Sequence, residues 1–227
     1  MKPRIAVAGA GVFGRHHMRV LKSLETAELT GVFDIDPARA AEAAAEHGVR
    51  SFASLSELAA SNDAAVVAVP TTAHASTGCA LLQAGLDVLI EKPIAPSLAE
   101  ADSLLAAAAQ SGKLIQVGHL ERFNPAVEAL AAKITTPLFF EIHRLSLFTP
   151  RSLDVDVVLD LMIHDIDVVL ALTNAMPEEV RAAGISILSP KVDIANVRLA
   201  FPGGCVANLT ASRVSTERVR KVRLFQP

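Results

Sequence analysis

The sequence predicts an α/β fold: a doubly wound parallel sheet in the first half, then a smaller α+β domain with an open, mostly antiparallel sheet. Three observations carry this expectation. A short apolar run, Ile5 to Ala8, enters Gly9-Ala10-Gly11-Val12-Phe13-Gly14. From there to about residue 120, short apolar runs alternate with capped helical stretches, the pattern of repeated strand–helix–strand units with right-handed crossovers. Beyond residue 120 strand-like runs follow one another in series. The expected domains are therefore 1–120 and 121–227.

Each glycine of the first motif has a mechanical use. Gly9 permits the tight turn off the strand, Gly11 lets backbone approach a pyrophosphate, and Gly14 lets the next helix pack closely. That helix starts inside the motif, so its free N–H groups and positive dipole end face the phosphates. Gly31-Val32-Phe33-Asp34 reads as a second strand ending in a carboxylate, 20 residues past the last glycine. A carboxylate there accepts ribose hydroxyls and repels a 2′-phosphate, which favours NAD over NADP. Arg39 is the nearby residue that would favour the opposite preference. A glycine-rich turn without a ligand is the plain alternative.

Asp36-Pro37 caps and opens an alanine-rich helix that stops at His47-Gly48. Ser54-Leu55-Ser56-Glu57 and Ser97-Leu98-Ala99-Glu100 are capping boxes for two more. Ala64 to Val69, Asp87 to Ile90 and Leu114 to Val117 read as strands buried on both faces. Asn124-Pro125 opens a helix to about Lys133, Leu138 to Leu147 reads as a strand, and Asp156 to Leu172 as a helix stopped at Asn174 and Pro177. Strands are expected over 179–188, 194–201, 205–213 and 218–225, with Pro202-Gly203-Gly204 as a hairpin turn.

The 227 residues are 51% hydrophobic, ample for a core, and carry a net charge of −3 without a basic stripe. Nucleic acid is therefore not an expected partner. No stretch is long enough to span a bilayer. Cys79 and Cys205 lie far apart and read as small buried hydrophobes in a reducing compartment. The expectation is a soluble cytoplasmic protein with no membrane partner.

Three stretches carry side chains suited to chemistry. Glu91-Lys92-Pro93 closes a buried strand, at the sheet edge where ligands sit. A lysine there can hydrogen-bond a hydroxyl and shift its proton; a solvated strand-end lysine accounts for the same residue. On the helix over 156–172, Asp156, Asp160, His164 and Asp167 form one polar line on an otherwise apolar surface. Ionisable groups on a buried helix are costly unless paired or used, and histidine readily exchanges a proton near neutral pH. A satisfied core histidine or a wet helix face are the other readings. A metal pair would lack a third ligand, so no metal is expected. In Gly118-His119-Leu120-Glu121-Arg122-Phe123-Asn124-Pro125, His119 and Arg122 are placed to line a cleft, and an arginine suits a phosphate or carboxylate. A surface arginine at a domain joint is the alternative. Pro70-Thr71-Thr72-Ala73-His74 follows a strand and should border a cofactor, unless His74 only starts a helix.

Gly9 to Gly14, Asp34-Ile35-Asp36, Pro70-x-x-x-His74, Glu91-Lys92-Pro93 and Asp160-x-x-x-His164 occur in the order found in the glucose-fructose oxidoreductase, inositol dehydrogenase and MocA family. The set is specific and spans most of the chain. The resemblance implies a Rossmann domain followed by an α+β domain. It implies that Lys92 is the catalytic lysine, His164 the acid/base, and Asp160 the neighbour that positions a sugar. The stretch Gly118 to Pro125 resembles the UDP-N-acetylglucosamine 3-dehydrogenase subgroup, with His119 and Arg122 on the substrate side. Cofactor contacts are expected from residues 9–14, Asp34, Pro70, Thr71, His74, Glu91 and Lys92. Family members run on for several strands past the equivalent of residues 219–225, so the second sheet is expected to be trimmed or the sequence a fragment. A complete sheet would imply a homo-oligomer. The expected activity is NAD(P)-dependent oxidation of a secondary alcohol on a sugar or sugar nucleotide; a nicotinamide-nucleotide sensor without turnover is the alternative.

Overall fold

Strand β1 (Arg4–Ala8) is apolar on both sides because both sides are covered: Ala6, Val7 and Ala8 have no exposed surface. It lies inside a parallel sheet with β2 (Glu28–Phe33), β3 (Arg50–Ser51), β4 (Ala64–Val67), β5 (Asp87–Ile90) and β6 (Ile115–Val117), in the order β3-β2-β1-β4-β5-β6. Successive side chains of a strand point to opposite faces. Ala6 and Val67 accordingly join a core with Leu58, Leu81 and Leu104, while Val7 and Val66 join another with Met18, Val32 and Ala43. The first core is covered by α3 (Leu55–Ser61), α4 (His74–Gln83) and α5 (Leu98–Ser111), and the second by α1 (Val12–Ser23) and α2 (Pro37–His47). This is the doubly wound arrangement that the alternating pattern predicts.

The structure, a computed structural model, describes residues 1–149 and 155–227, and the chain divides into two compact units, Met1–Gly118 and His119–Pro227.

The helix starts follow their local chemistry. Asp36 accepts the N–H groups of Ala38 and Arg39, with Pro37 at the first helical position. Ser54 Oγ accepts the Glu57 N–H, and the Glu57 carboxylate reaches the Ala53 N–H at 2.7 Å, one residue before the cap. Gly48 and Gly112 end α2 and α5 in the left-handed conformation. Strand β3 is only two residues long, and no alternation or apolar run marks it in the sequence.

The first α-helix of the second unit is α6 (Pro125–Ala131), capped by Asn124. Its sheet runs β11-β7-β10-β9-β8, formed by β7 (Phe139–Leu145), β8 (Glu179–Ile185), β9 (Ile194–Ala200), β10 (Val206–Ser212) and β11 (Val219–Phe225). Three of the four pairings are antiparallel; β7 and β10 are parallel. One sheet face supplies Phe140, Ile142, Val197, Leu199, Ala207 and Leu209 to a core completed by Val157, Met162 and Val169. The helix expected over 156–172 has two parts. A π-helical turn, Val158–Met162, leads into α7 (Ile163–Thr173), which stops at Asn174 in the left-handed conformation. Asp193, without exposed surface, accepts three backbone N–H groups of residues 187–189 and the Arg213 guanidinium, and so fixes the turn between β8 and β9. Cys205 is buried and Cys79 half-buried, both as free thiols.

Candidate active site

In the first unit the strand order reverses between β1 and β4, and ligands of open α/β sheets bind beyond the carboxyl ends at such a switch point. A cavity of about 420 Å³ opens there, lined by Gly9, Gly11, Val12 and Phe13 after β1, Phe33 to Ile35 after β2, and Ala68 to Pro70 after β4. Arg39, Leu55, Ala73 and Thr77 complete it.

The three glycines of the loop differ in what surrounds them. Gly9 has φ +105°, and a Cβ there would lie 2.4 Å from the Ala68 carbonyl oxygen. A Cβ on Gly14 would lie 1.8 Å from the Gly9 carbonyl oxygen. A Cβ on Gly11 would meet no protein atom within 4 Å. The fold therefore needs Gly9 and Gly14, whereas Gly11 borders space inside the cavity. A cradle that a Cβ would fill, at the start of α1, fits a dinucleotide pyrophosphate.

Asp34 sits just after β2 with 9% of its surface exposed. One carboxylate oxygen accepts the Ala10 N–H at 2.8 Å, and the other accepts the Asp36 N–H at 2.9 Å. The carboxylate is thus locked to the glycine loop, with lone pairs left over for ribose hydroxyls. Arg39 Nη1 stands 3.5 Å from Asp34, on the same cavity wall.

Not every residue expected at the cofactor lines this cavity. Ala10 is buried and turns its N–H to Asp34, and Gly14 packs against the loop. Thr71 belongs to a single 3-10 turn before α4 and is not among the lining residues. His74 starts α4 and is 1% exposed, with its two ring nitrogens 2.8 Å from the Pro93 carbonyl and 3.0 Å from the Val69 carbonyl. Its role in the structure is to tie the loop after β4 to the loop after β5, because a buried imidazole needs partners and two backbone oxygens supply them.

Glu91 and Lys92 follow β5, and the Lys92–Pro93 peptide is cis. Glu91 is buried and accepts from His17 Nε2 of α1 at 2.7 Å and from the Lys92 N–H at 3.2 Å. Burial pushes the Glu91 carboxyl up, but the His17 hydrogen bond and charge, with the Lys92 N–H and charge, outweigh it and hold the group below the usual carboxylate range. Sequence reasoning did not single out His17. Its partner lies 74 residues away, and the histidine looks like one of several polar residues on an amphipathic helix.

In the second unit, Asp156 accepts the Val158 and Leu159 N–H groups and serves as a cap. Asp160 lies in the π-helical turn and His164 in the first turn of α7, both half-buried. The wider turn interrupts the even four-residue spacing expected from 156 onward. Asp167, three residues past His164 and on the same helix face, is buried. It takes Arg122 Nε and Nη2 at 2.7 and 2.6 Å, and His119 Nδ1 lies 4.0 Å away. The Asp167 hydrogen bond raises the Arg122 pKa further. Arg122 thus gives Nε and Nη2 to a buried carboxylate 45 residues on. Asp165, overlooked in the sequence, is 3% exposed and forms a second bidentate pair with Arg144 of β7 at 2.9 and 2.7 Å. Burial works against the Arg144 charge, and Asp165 and Glu121 outweigh it. Among the described residues no group of His, Cys, Asp or Glu has metal-binding geometry. No helix among them is long and apolar enough to cross a membrane.

The fold and this cradle define a dinucleotide-binding oxidoreductase. Residues 3–119 match the oxidoreductase family with an NAD-binding Rossmann fold, and residues 137–225 match the GFO/IDH/MocA C-terminal domain. The chain belongs to the GFO/IDH/MocA family of oxidoreductases, and its cofactor is NAD. Over 223 residues it is 42% identical to the UDP-N-acetylglucosamine 3-dehydrogenase of Acidithiobacillus ferrooxidans, covering 98% of this chain and 71% of that protein. It is 33% identical to the myo-inositol dehydrogenase Hyg17 of Streptomyces leeuwenhoekii, over 83% of this chain and 61% of that one. A solved structure of the Acidithiobacillus ferrooxidans enzyme superposes with a TM-score of 0.93 at 41% identity, covering 100% of this chain and 72% of that chain. A probable dehydrogenase from Thermotoga maritima superposes at 0.91 with 26% identity, over 99% and 73% of the two chains.

Proposed function

We propose that the chain oxidises a secondary alcohol of a nucleotide sugar, with the C3 hydroxyl of UDP-N-acetylglucosamine as the reacting group. The observation that carries this reading is the 42% identity to a UDP-N-acetylglucosamine 3-dehydrogenase over nearly the whole chain. Bound NAD would supply the acceptor for the hydride that leaves the carbinol carbon.

The chain's own residues manage the proton and the orientation. The role proposed for His164 is to take the hydroxyl proton, and that for Lys92 is to donate a hydrogen bond to a substrate oxygen and stabilise charge that develops there. Asp160 orients the sugar ring. His119 and the Arg122 edge left over from Asp167 shape the substrate side. Glu91, pinned by His17, holds the Lys92 backbone. Thr71 and His74 act on the cofactor through the loop they build. Asp34, fixed by two backbone N–H groups, favours NAD over NADP.

The same reading proposes a cytoplasmic enzyme with small-molecule partners rather than nucleic acid or membrane. Apolar residues exposed on the edge strands, Val180 and Ile185 on β8 and Val222 and Phe225 on β11, favour a homo-oligomer through the second sheet. The test of the activity is NADH absorbance on adding a panel of free sugars, inositols and UDP-sugars. NADH formation with UDP-N-acetylglucosamine supports the reading. Formation with inositols alone, or with no member of the panel, contradicts it.

A further inference from the structure

The second unit holds a cavity of about 420 Å³ that none of the roles above uses. Arg144, Ser146, Thr149, Leu161, Arg218 and Arg220 line it. Its guanidinium groups are placed against ordinary sheet rules. In the antiparallel pairing of β11 with β7, Arg220 stands directly opposite Arg144. Like charges at that position repel and destabilise the pair. Arg218, one residue before β11, lines the same cavity and adds a third positive charge to its wall.

The nearby carboxylates do not neutralise the three. Asp165 is committed to Arg144 as a buried bidentate pair. Glu121 Oε1 is shared between Arg144 at 3.3 Å and Arg220 at 3.5 Å. Burial pushes the Glu121 carboxyl up, but the Arg144 and Arg220 charges and the Asn124 and Arg144 hydrogen bonds outweigh it, so it stays ionised. Three arginines thus face two carboxylates, and among the described residues no carboxylate lies within ion-pairing distance of Arg218. Arg220 has 75% of its side chain exposed, so most of its fork is available.

We propose that this cavity binds the diphosphate of the nucleotide-sugar substrate through Arg218 and Arg220, an inference that rests on the dehydrogenase reading above. Two planar forks suit the paired oxygens of a diphosphate, which a single carboxylate would not fill. Ser146 and Thr149 bring hydroxyl donors to the same wall. The volume falls within the range of roughly 300–1,000 Å³ typical of small-molecule sites, larger than one phosphate needs. Leu161 ties the cavity to the chemistry: it belongs to the same π-helical turn as Asp160. A diphosphate held here is anchored beside the segment that carries the catalytic pair, and the binding energy of this remote group positions the sugar.

The test measures UDP binding by calorimetry, with saturating NADH, for the wild-type chain, Arg218→Gln, Arg220→Gln and the double variant. Arg223→Gln is the charge control, since Arg223 pairs with Glu141 on the opposite face of β11. Each cavity variant should weaken UDP by roughly tenfold or more, as expected for a lost charge-assisted bond, and leave NADH affinity unchanged. Arg223→Gln should bind UDP like the wild type, and UDP should compete with UDP-N-acetylglucosamine in the NADH assay. Wild-type UDP affinity in the double variant, or non-competitive inhibition by UDP, overturns the proposal even if the chain is an active dehydrogenase. Arginine-dependent UDP binding without NADH formation from any UDP-sugar keeps the cavity and removes the dehydrogenase reading.

Discussion

The glycine loop of the first unit and the start of α7 in the second are built by different physics. In the loop, function resides in backbone. Asp34 reaches the loop from β2 and the Ala68 carbonyl crowds Gly9, but the motif itself lies within residues 9–14, and the decisive property of Gly11 is the space around it. At α7, side chains are held by partners far along the chain: Arg122 to Asp167, and Arg144 to Asp165. Local chemistry makes a site that a motif can announce. Long-range pairing makes one that only a folded chain displays.

The largest effect should separate two glycines of one motif. Gly14→Val drives a side chain into the Gly9 carbonyl and should prevent the first unit from folding, seen as loss of its thermal transition. Gly11→Val meets no protein atom and should keep the transition near that of the wild type while abolishing NADH binding. If both variants fold and bind, the loop is not the cradle.

His164→Ala is next. Loss of a general acid/base should lower turnover by roughly 10²–10⁴-fold with NADH affinity nearly intact. Turnover within a few-fold of wild type would make His164 a structural residue of α7.

Asp165→Ala probes the long-range side of the comparison. It leaves the Arg144 charge buried with Glu121 as its remaining partner, and should cost about 3–5 kcal/mol of stability by denaturant unfolding. A loss below about 1 kcal/mol would show that the pair contributes little.

The smallest effect belongs to His17 and Glu91, which join α1 to the end of β5. Glu91 titrates below its ordinary value of 4.5, so its contribution is fully present above that pH and is lost as pH falls through the lower folded value. His17→Gln should move this acid-side loss to higher pH and cost about 1 kcal/mol at neutral pH, on the order of 2–4 °C in Tm. An unchanged profile of Tm against pH would remove His17 from this role.

Legibility in the sequence follows the same division. The strands around the loop, the caps Asp36, Ser54, Ser97 and Asn124, and the stop at Asn174 were readable because each depends on residues a few positions apart. The two residues of β3 were too few to give a pattern. The π-helical turn has no periodic signature, so 156–172 reads as one regular helix. Serial strands suggested antiparallel neighbours, but α7 and the β8–β9 pair intervene between β7 and β10, and the returning chain joins β7 in parallel. Lys92, Asp160 and His164 stood out by residue type and position. Asp165, Arg144, Arg218 and Arg220 did not, since nothing in a linear sequence shows that Arg220 faces Arg144.

The proposed reaction takes hydride from C3 of the sugar of UDP-N-acetylglucosamine. Incubating the chain with NAD and UDP-N-acetylglucosamine carrying deuterium at C3, then weighing the reduced cofactor by mass spectrometry, tests this directly. Reduced cofactor that carries the deuterium is expected, formed at a lower rate by His164→Ala. Reduced cofactor without deuterium would contradict the assigned carbon, and no reduced cofactor would leave a nucleotide-binding protein without this turnover.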